Sequence, residues 1–142
     1  MTRARTLILA IVPLVLISCT ATIAPVKINA GDQCFRCRRI IADTRLATEQ
    51  IQGGLTSKYR APGCMAKYLV AHPDEGGTLF VTDYSTGKMI PPAEAIFVPI
   101  VLDRNTGEFD YQAYKSSADA SAAARELATT VVDWQTVLDR AR

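Results

Sequence analysis

Three cysteines, Cys34, Cys37 and Cys64, carry the chemistry that is easiest to identify in this chain. Cys34 and Cys37 form a Cys-x-x-Cys pair, whose two thiolates can chelate one metal ion or close a small disulfide. The pair lacks the second Cys-x-x-Cys of a zinc ribbon and the histidine that follows a c-type haem motif. Two interpretations of the pair therefore stay open, a metal site and a structural disulfide.

The third thiol and a neighbouring thioether favour a soft metal ion. A helix that begins near Pro62 places Cys64 in its first turn, where the helix dipole stabilises a thiolate. Thiolates and thioethers select Cu(I) and disfavour hard cations. We therefore predict a Cu(I) site whose ligands are Cys34, Cys37, Cys64 and Met65, with packing in the core as the alternative role of Met65.

Basic residues lie close to the thiols in the sequence and are expected to favour the thiolate form as well. They are Arg36, Arg38, Arg39, Lys58, Arg60 and Lys67. Met89 is a further thioether, although packing in the core is the more common role of a methionine. The chain has one histidine, His72, so a histidine-rich zinc or Cu(II) site is excluded.

An enzyme is not expected from these residues. The sequence has no phosphate-binding loop and no two-carboxylate site that spacing identifies, and a single histidine gives no Ser–His–acid set. Cys64 and His72 are eight residues apart on one predicted helix. Their separation of about 12 Å is too large for a cysteine–histidine pair.

The first nineteen residues resemble a bacterial lipoprotein export signal. Arg3 and Arg5 precede an apolar stretch of eleven residues, which is shorter than the about 20 residues of a membrane-spanning helix. The stretch ends in Leu-Ile-Ser-Cys at residues 16–19, which is similar to a lipobox. We therefore predict a lipoprotein signal peptide over residues 1–18.

Cys19 is the predicted lipidation site and would become the new N-terminus. Acyl chains such as palmitate on this residue would anchor the protein to a membrane. Thr20 follows the cysteine. By analogy with the lipoprotein sorting rule, this residue favours the bacterial outer membrane, with the domain facing the periplasm and the inner membrane as the alternative.

The formal net charge of +2 belongs to the export signal. After removal of residues 1–18, the chain has 14 basic and 14 acidic side chains. This balance lacks the positive charge of a nucleic-acid binder, so no nucleic-acid partner is expected.

The neutral remainder is divided into two oppositely charged halves. Residues 20–70 carry 8 basic and 3 acidic side chains, a net +5, and residues 71–142 carry 6 and 11, a net −5. Two oppositely charged halves can attract each other or steer a partner protein, and a partner of the acidic half would be basic. The alternative is that both halves are solvated surfaces without a binding role.

The remainder is predicted to be a short tether followed by one α+β domain. Residues 19–33 are small and polar without a period, as in a lipid-anchored flexible tether. Strand patterns cover about 45–51, 55–59, 78–84 and 95–101, helix patterns cover about 62–72 and 119–127, and a short strand and helical turn end the chain at 131–138. Strand, strand, helix thus occurs twice, which predicts two small ββα units in tandem within 34–142, about 34–76 and 77–142.

Several sequence blocks, in this order, resemble the NosL family, lipoprotein copper chaperones associated with nitrous oxide reductase maturation. The blocks are Cys19 in the lipobox, Cys-Phe-Arg-Cys at 34–37, Ile-Ile-Ala-Asp at 40–43, residues 59–69 around Gly-Cys-Met, Phe-Val-Thr-Asp-Tyr-Ser-Thr-Gly-Lys-Met-Ile at 80–90, and Pro-Ala-Glu-Ala-Ile-Phe-Val at 92–98. The resemblance covers most of residues 34–128. It implies a fold of two ββα units that binds Cu(I). It also implies delivery to a partner cuproprotein, such as nitrous oxide reductase or its maturation machinery.

The chain departs from the family pattern at its methionines. Family members often have a methionine shortly after Cys-x-x-Cys, where this chain has two arginines at 38–39, and a later one with no counterpart between residues 105 and 115. Under the resemblance, Cys34 and Cys37 form a two-thiolate site with Cys64 as a third ligand. The alternative is a divergent lipoprotein that has lost copper and uses a Cys34–Cys37 disulfide as a redox or interaction module.

Overall fold

The computed structural model describes residues 22–142. The predicted signal peptide over 1–18 and the predicted lipidation site Cys19 lie outside the described residues and stay predictions. Between residues 22 and 142, no helix is both long enough and apolar enough to cross a membrane.

The first ββα unit begins with a tight hairpin. Its elements are β1 (Thr48–Gln52), β2 (Leu55–Tyr59) and α1 (Pro62–Ala71). The antiparallel strands β1 and β2 are joined by Gly53 and Gly54, which have positive φ angles of 56° and 80°. Two-residue turns with positive φ match the twist of the strands they connect, which is why glycine suits both positions. α1 begins at Pro62, as predicted, because proline is preorganised for the first helical position.

The second ββα unit begins later in the chain than the predicted residue 77, because its two strands lie within residues 96–114. The elements after α1 are β3 (Thr78–Thr82), β4 (Met89–Ile90), β5 (Ile96–Asp103), β6 (Glu108–Tyr114), α2 (Ser117–Glu126) and α3 (Trp134–Asp139). β3 and β4 extend the first sheet, in the order β2-β1-β3-β4, and β5 pairs with β6 in a second sheet. The second unit is therefore β5-β6-α2, and the predicted α+β fold with two ββα units is confirmed.

Strand pairing differs from the sequence-based expectation at two places. The sequence pattern does not predict β6, because Asp110 and Gln112 interrupt its apolar residues, although Asp110 is buried. β3 is predicted as a strand of the second unit, but it pairs with β1, with Thr48 opposite Val81. The boundary predicted near residue 76 therefore does not separate two sheets.

One core joins the two units. Large, fully buried side chains come from both sheets and from two helices, and they include Tyr59, Met65, Phe97 and Val137. α3, the helical turn predicted near the C-terminus, packs against α1, and the rings of Trp134 and Phe97 are 5.5 Å apart. The first turn of α1 is thus embedded in the shared core.

Polar contacts attach the segment before Cys34 to the first sheet. The backbone N–H of Val26 donates to Glu49 Oε1 (2.8 Å). Lys58 Nζ donates to Lys27 O (3.1 Å) and forms an ion pair with Asp32 Oδ2 (2.6 Å). The two side chains that bind this segment are Glu49 on β1 and Lys58 on β2, and they lie opposite each other in the paired strands.

Ile28 adds an apolar contact to the same segment. It is buried in a small cluster with Ile41 and Ala47. Residues 26–33, predicted to lie in the tether 19–33, are therefore part of the folded domain. The contacts join residues far apart in the sequence, which a local pattern of small and polar residues does not reveal.

Replacing Ile28 with alanine tests this docking. Because Ile28 is 9% exposed, Ile28→Ala should lower the free energy of unfolding by about 2–3 kcal/mol, as for other buried isoleucines. Urea unfolding followed by circular dichroism measures the change. Ile23→Ala is the matched control, because Ile23 is 48% exposed and its replacement should cost less than about 0.5 kcal/mol. Equally small effects at both positions would show that the segment is an undocked tether.

Candidate metal centre

The Cys-x-x-Cys pair lies in a short, closed loop. Gln33 and Ile40 form an antiparallel bridge at its base. Within the loop, Cys34 N donates to Arg39 O (2.9 Å) and Arg38 N donates to Cys34 O (3.0 Å). Arg38 has a φ of 61°, which is unfavourable for a residue with a Cβ atom and is imposed by the closure of the loop.

Backbone and aromatic contacts hold this loop on the first sheet. Phe35 N donates to Lys58 O (2.7 Å) near the end of β2. The Phe35 ring packs edge-on against Tyr59 and Tyr68, with centroid separations of 6.1 Å and 5.2 Å. Each such pair typically contributes about 0.5–1.5 kcal/mol beyond the burial of its surface. The loop is therefore fixed beside β2 and α1.

Cys64 lies in the first turn of α1, as predicted. Ala61 precedes the helix and provides no side-chain cap. Instead, Asp110 of β6 accepts hydrogen bonds from the backbone N–H groups of Gly63 (2.7 Å) and Tyr111 (2.9 Å). A Cβ atom on Gly63 would lie 2.9 Å from Asp110 Oδ1, so this close approach requires glycine. A carboxylate from the second sheet thus caps the helix that carries Cys64.

The fold brings the three sulfur atoms together. Their Sγ atoms lie within 4.8 Å of one another, and those of Cys34 and Cys64 are 3.4 Å apart. Cys34 is fully buried, Cys64 is 6% exposed and Cys37 is partly exposed. Two ligands about 2.3 Å from one ion are at most about 4.6 Å apart, so the cluster fits one thiolate-bound ion with little movement.

The three cysteines are free thiols. Within residues 22–142 these cysteines form no disulfide, and the alternative of a module with a Cys34–Cys37 disulfide stays a prediction. The contact of 3.4 Å links Cys34 to Cys64, from another element.

The two buried thiols share a proton unequally. A hydrogen bond from the Cys64 thiol lowers the pKa of Cys34, and the backbone N–H groups of Cys37 and Arg60 act on the same sulfur in the same direction. The pKa of Cys64 is raised, because its proton is held in the bond to Cys34 and because burial disfavours a charge. This hydrogen bond favours the thiolate at Cys34 over the thiolate at Cys64. The stabilisation of a Cys64 thiolate by the helix dipole stays a prediction.

Carboxylates neutralise part of the positive charge near the thiols. Glu108, the first residue of β6, forms ion pairs with Arg39 (2.9 Å) and Arg60. Lys58 is paired with Asp32, as described above. Hydrogen bonds, rather than the basic residues singled out in the sequence, are the largest influence on the pKa of the Cys34 thiol.

The other residues with soft or imidazole donors lie in three different environments. Met65 is fully buried in the core cluster that also contains the two buried thiols, and its role as a ligand stays a prediction. Met89 packs in the separate cluster of Ile28. His72 is exposed at the end of α1 and stacks on Tyr68, with ring centroids 4.2 Å apart. Met89 and His72 therefore behave as ordinary packing and helix-end residues.

Two acidic residues support the centre although the sequence does not single them out. Glu108 binds the arginines around the loop and Asp110 caps α1, as described above. Their spacing of two residues puts them on one face of a strand. That signal is usable only if β6 is known to be a strand, which the sequence pattern does not predict.

Comparison with solved structures identifies a protein of the same architecture. The chain superposes on the crystal structure of the copper chaperone NosL from Shewanella denitrificans with a TM-score of 0.62 and 15% sequence identity, over 79% of this chain and 93% of that chain. No protein-family model and no curated protein sequence matches the chain significantly. At this identity the comparison shows the fold alone. The resemblance predicted from the sequence is confirmed at that level, and the chain has a divergent NosL-like fold.

Gly63→Ala tests the contact that positions Cys64. Alanine is about 1 kcal/mol better than glycine inside a helix, but its methyl group would collide with the Asp110 carboxylate. The free energy of unfolding should therefore fall by about 1–3 kcal/mol, as for other overpacked sites. Gly76→Ala is the matched control, since nothing lies within 4 Å of that added atom. A stabilised Gly63→Ala variant in urea unfolding would contradict the close approach.

The buried cap predicts a pH effect on stability. Burial raises the pKa of Asp110 from 3.8 to about 6, despite the opposing hydrogen bonds from Gly63 and Tyr111. A carboxyl group whose pKa is raised on folding stabilises the fold fully below about pH 4, and this stabilisation is lost as the pH rises through about 6. Asp110→Asn keeps an oxygen for Gly63 N–H but does not titrate. Between pH 4 and 7, wild type should lose up to about 3 kcal/mol relative to this variant. A pH-independent difference in urea unfolding would rule the effect out.

Proposed function

We propose that the protein is a lipid-anchored, periplasm-facing carrier that binds Cu(I) through the thiolates of Cys34, Cys37 and Cys64. The main support is the cluster of three free cysteines, whose Sγ atoms lie within 4.8 Å of one another. The second support is a fold that resembles that of a copper chaperone.

The donor set favours Cu(I) over zinc. Structural zinc sites use four protein ligands. Within residues 22–142, no further cysteine, histidine, aspartate or glutamate joins the three thiols. Soft thiolates prefer Cu(I), and they bind it more strongly than thioethers do, so the methionines missing at 38–39 and 105–115 are not essential.

A carrier also needs an anchor and a recipient. We propose that acylated Cys19 attaches the protein to the outer membrane, with the inner membrane as the alternative. The proposed recipient is a cuproprotein such as nitrous oxide reductase or its maturation machinery, as the resemblance to NosL implies. The protein itself is proposed to hold and transfer the ion rather than to catalyse a reaction.

Competition with a chromophoric Cu(I) chelator tests the carrier role. The reduced protein should remove one Cu(I) per chain from the chelator under anaerobic conditions. Cys34→Ser and Cys37→Ser should each weaken binding by at least about 100-fold, more than the 10–100-fold expected for residues that only orient a ligand. Thiol counting on the unfolded, reduced protein should find Cys34, Cys37 and Cys64 as free thiols, and in the folded protein added Cu(I) should protect Cys37, the accessible one, from reaction.

Two further variants make this assay specific. Met89→Leu is the matched control, because it removes a thioether that packs in the separate cluster of Ile28 and should leave the Cu(I) affinity unchanged. Met65→Leu conserves side-chain volume, so weaker Cu(I) binding with unchanged stability would identify the thioether as a ligand. The carrier hypothesis is wrong if the reduced protein does not compete for Cu(I), or if it binds Zn(II) in preference.

A further inference from the structure

Of the three clustered thiols, Cys37 is the one that reaches the surface. Cys34 is fully buried and Cys64 is 6% exposed, whereas Cys37 is partly exposed. A thiol or thioether of another protein can therefore replace Cys37 on a bound ion more easily than it can replace the two buried sulfurs. A recipient must cover the loop that carries Cys37.

Two unpaired guanidinium groups flank this thiol. Arg36 and Arg38 are exposed and form no ion pair within residues 22–142. By contrast, Arg39 and Arg60 are paired with Glu108. The free positive charge at the opening of the site thus comes from the two residues on either side of Cys37.

Apolar side chains lie at both ends of the same loop. Phe35 is 39% exposed and Ile40 is 65% exposed. The Arg38 guanidinium lies 5.6 Å from the centre of the Phe35 ring. Exposed aromatic and arginine side chains around a functional group are the residue types that dominate binding energy in protein interfaces.

The loop is also ordered before any partner binds. Its backbone is closed by the hydrogen bonds between Cys34 and residues 38–39, and Phe35 N is bonded to β2. Because the loop is already fixed, a partner that covers it need not supply the free energy of ordering it.

We propose that residues 35–40 are a docking surface for an acidic face of the recipient protein. Carboxylates of the recipient would pair with Arg36 and Arg38, and an apolar spot would cover Phe35 and Ile40. That the docked protein receives copper rests on the proposed function, whereas the docking itself does not. Docking of a basic protein on the acidic half, residues 71–142, stays a prediction, and that half carries none of the thiols.

Two synthetic acceptor peptides test the proposal. Both carry the same Cys-x-x-Cys sequence, flanked by glutamates in one peptide and by lysines in the other. The rate of Cu(I) transfer from the loaded full-length protein is measured at low and at high salt. At low salt the glutamate peptide should accept Cu(I) about tenfold faster than the lysine peptide, and the difference should vanish at high salt.

Charge reversal locates the effect. Arg36→Glu/Arg38→Glu should abolish or invert the preference, and Arg36→Glu alone, which leaves the Arg38–Phe35 contact intact, should reduce it. Lys88→Glu/Arg125→Glu is the matched control, because both residues are exposed, are outside the ion pairs and lie away from the loop in the sequence. Equal rates for the two peptides with wild type, or an equal loss in both double variants, would overturn the proposal.

A copper-free measurement separates docking from carriage. A labelled glutamate peptide with serines in place of its cysteines should bind the apo protein by fluorescence anisotropy, and Arg36→Glu/Arg38→Glu should remove that binding. If this peptide binds but the protein binds no Cu(I), the carrier role is wrong and the docking surface stands.

Two other occupants of the loop would overturn the proposal. Arginine-dependent binding to phosphatidylglycerol vesicles without peptide binding would assign the loop to a membrane. Self-association through the loop would show that it contacts a second copy of this chain. Either outcome contradicts the proposal that the loop binds an acidic protein.

Discussion

The centre depends on one contact between sulfur atoms that are thirty residues apart in the chain. Cys34 Sγ and Cys64 Sγ are 3.4 Å apart in the core. The contact forms only when the closed loop lies on β2 and the first turn of α1 faces it. Because the two sulfurs are buried and share one proton, their donor strength is a property of the pair. The third thiol, Cys37, joins a cluster that the fold has already assembled.

Two side chains of the second sheet support the elements that make this contact. Asp110 caps α1 at Gly63, and Glu108 binds Arg39 and Arg60 around the loop. These acidic residues belong to the half of the chain with net charge −5, and the arginines belong to the half with +5. Part of the charge division therefore acts inside the molecule, where it joins the two ββα units. The units cannot separate without releasing the helix that carries Cys64.

Burial divides the thiols into two groups with different tasks in the proposed carrier. The buried pair lies in a water-poor environment and would hold an ion through donors whose positions are set by the core. Cys37 is more accessible and is flanked by arginines, so ligand exchange with another protein can begin there. In that carrier, strong binding and release would need opposite degrees of exposure, and the unequal burial of the three thiols provides both.

The sequence by itself determined the inventory and the local structure. Three thiols and a single histidine limit the metal chemistry, glycines at 53 and 54 predict the hairpin, Pro62 predicts the start of α1, and the order of the motif blocks predicts the NosL-like fold. Tertiary structure alone decided which thiols are buried together, which arginines are paired, where the tether ends and that β6 is a strand. Short stretches of sequence show the propensity for helices, strands and turns, and they show which side chains could donate to a metal ion. Proximity depends on strand pairing and on contacts between distant residues such as Gly63 and Asp110, which no short stretch of sequence contains.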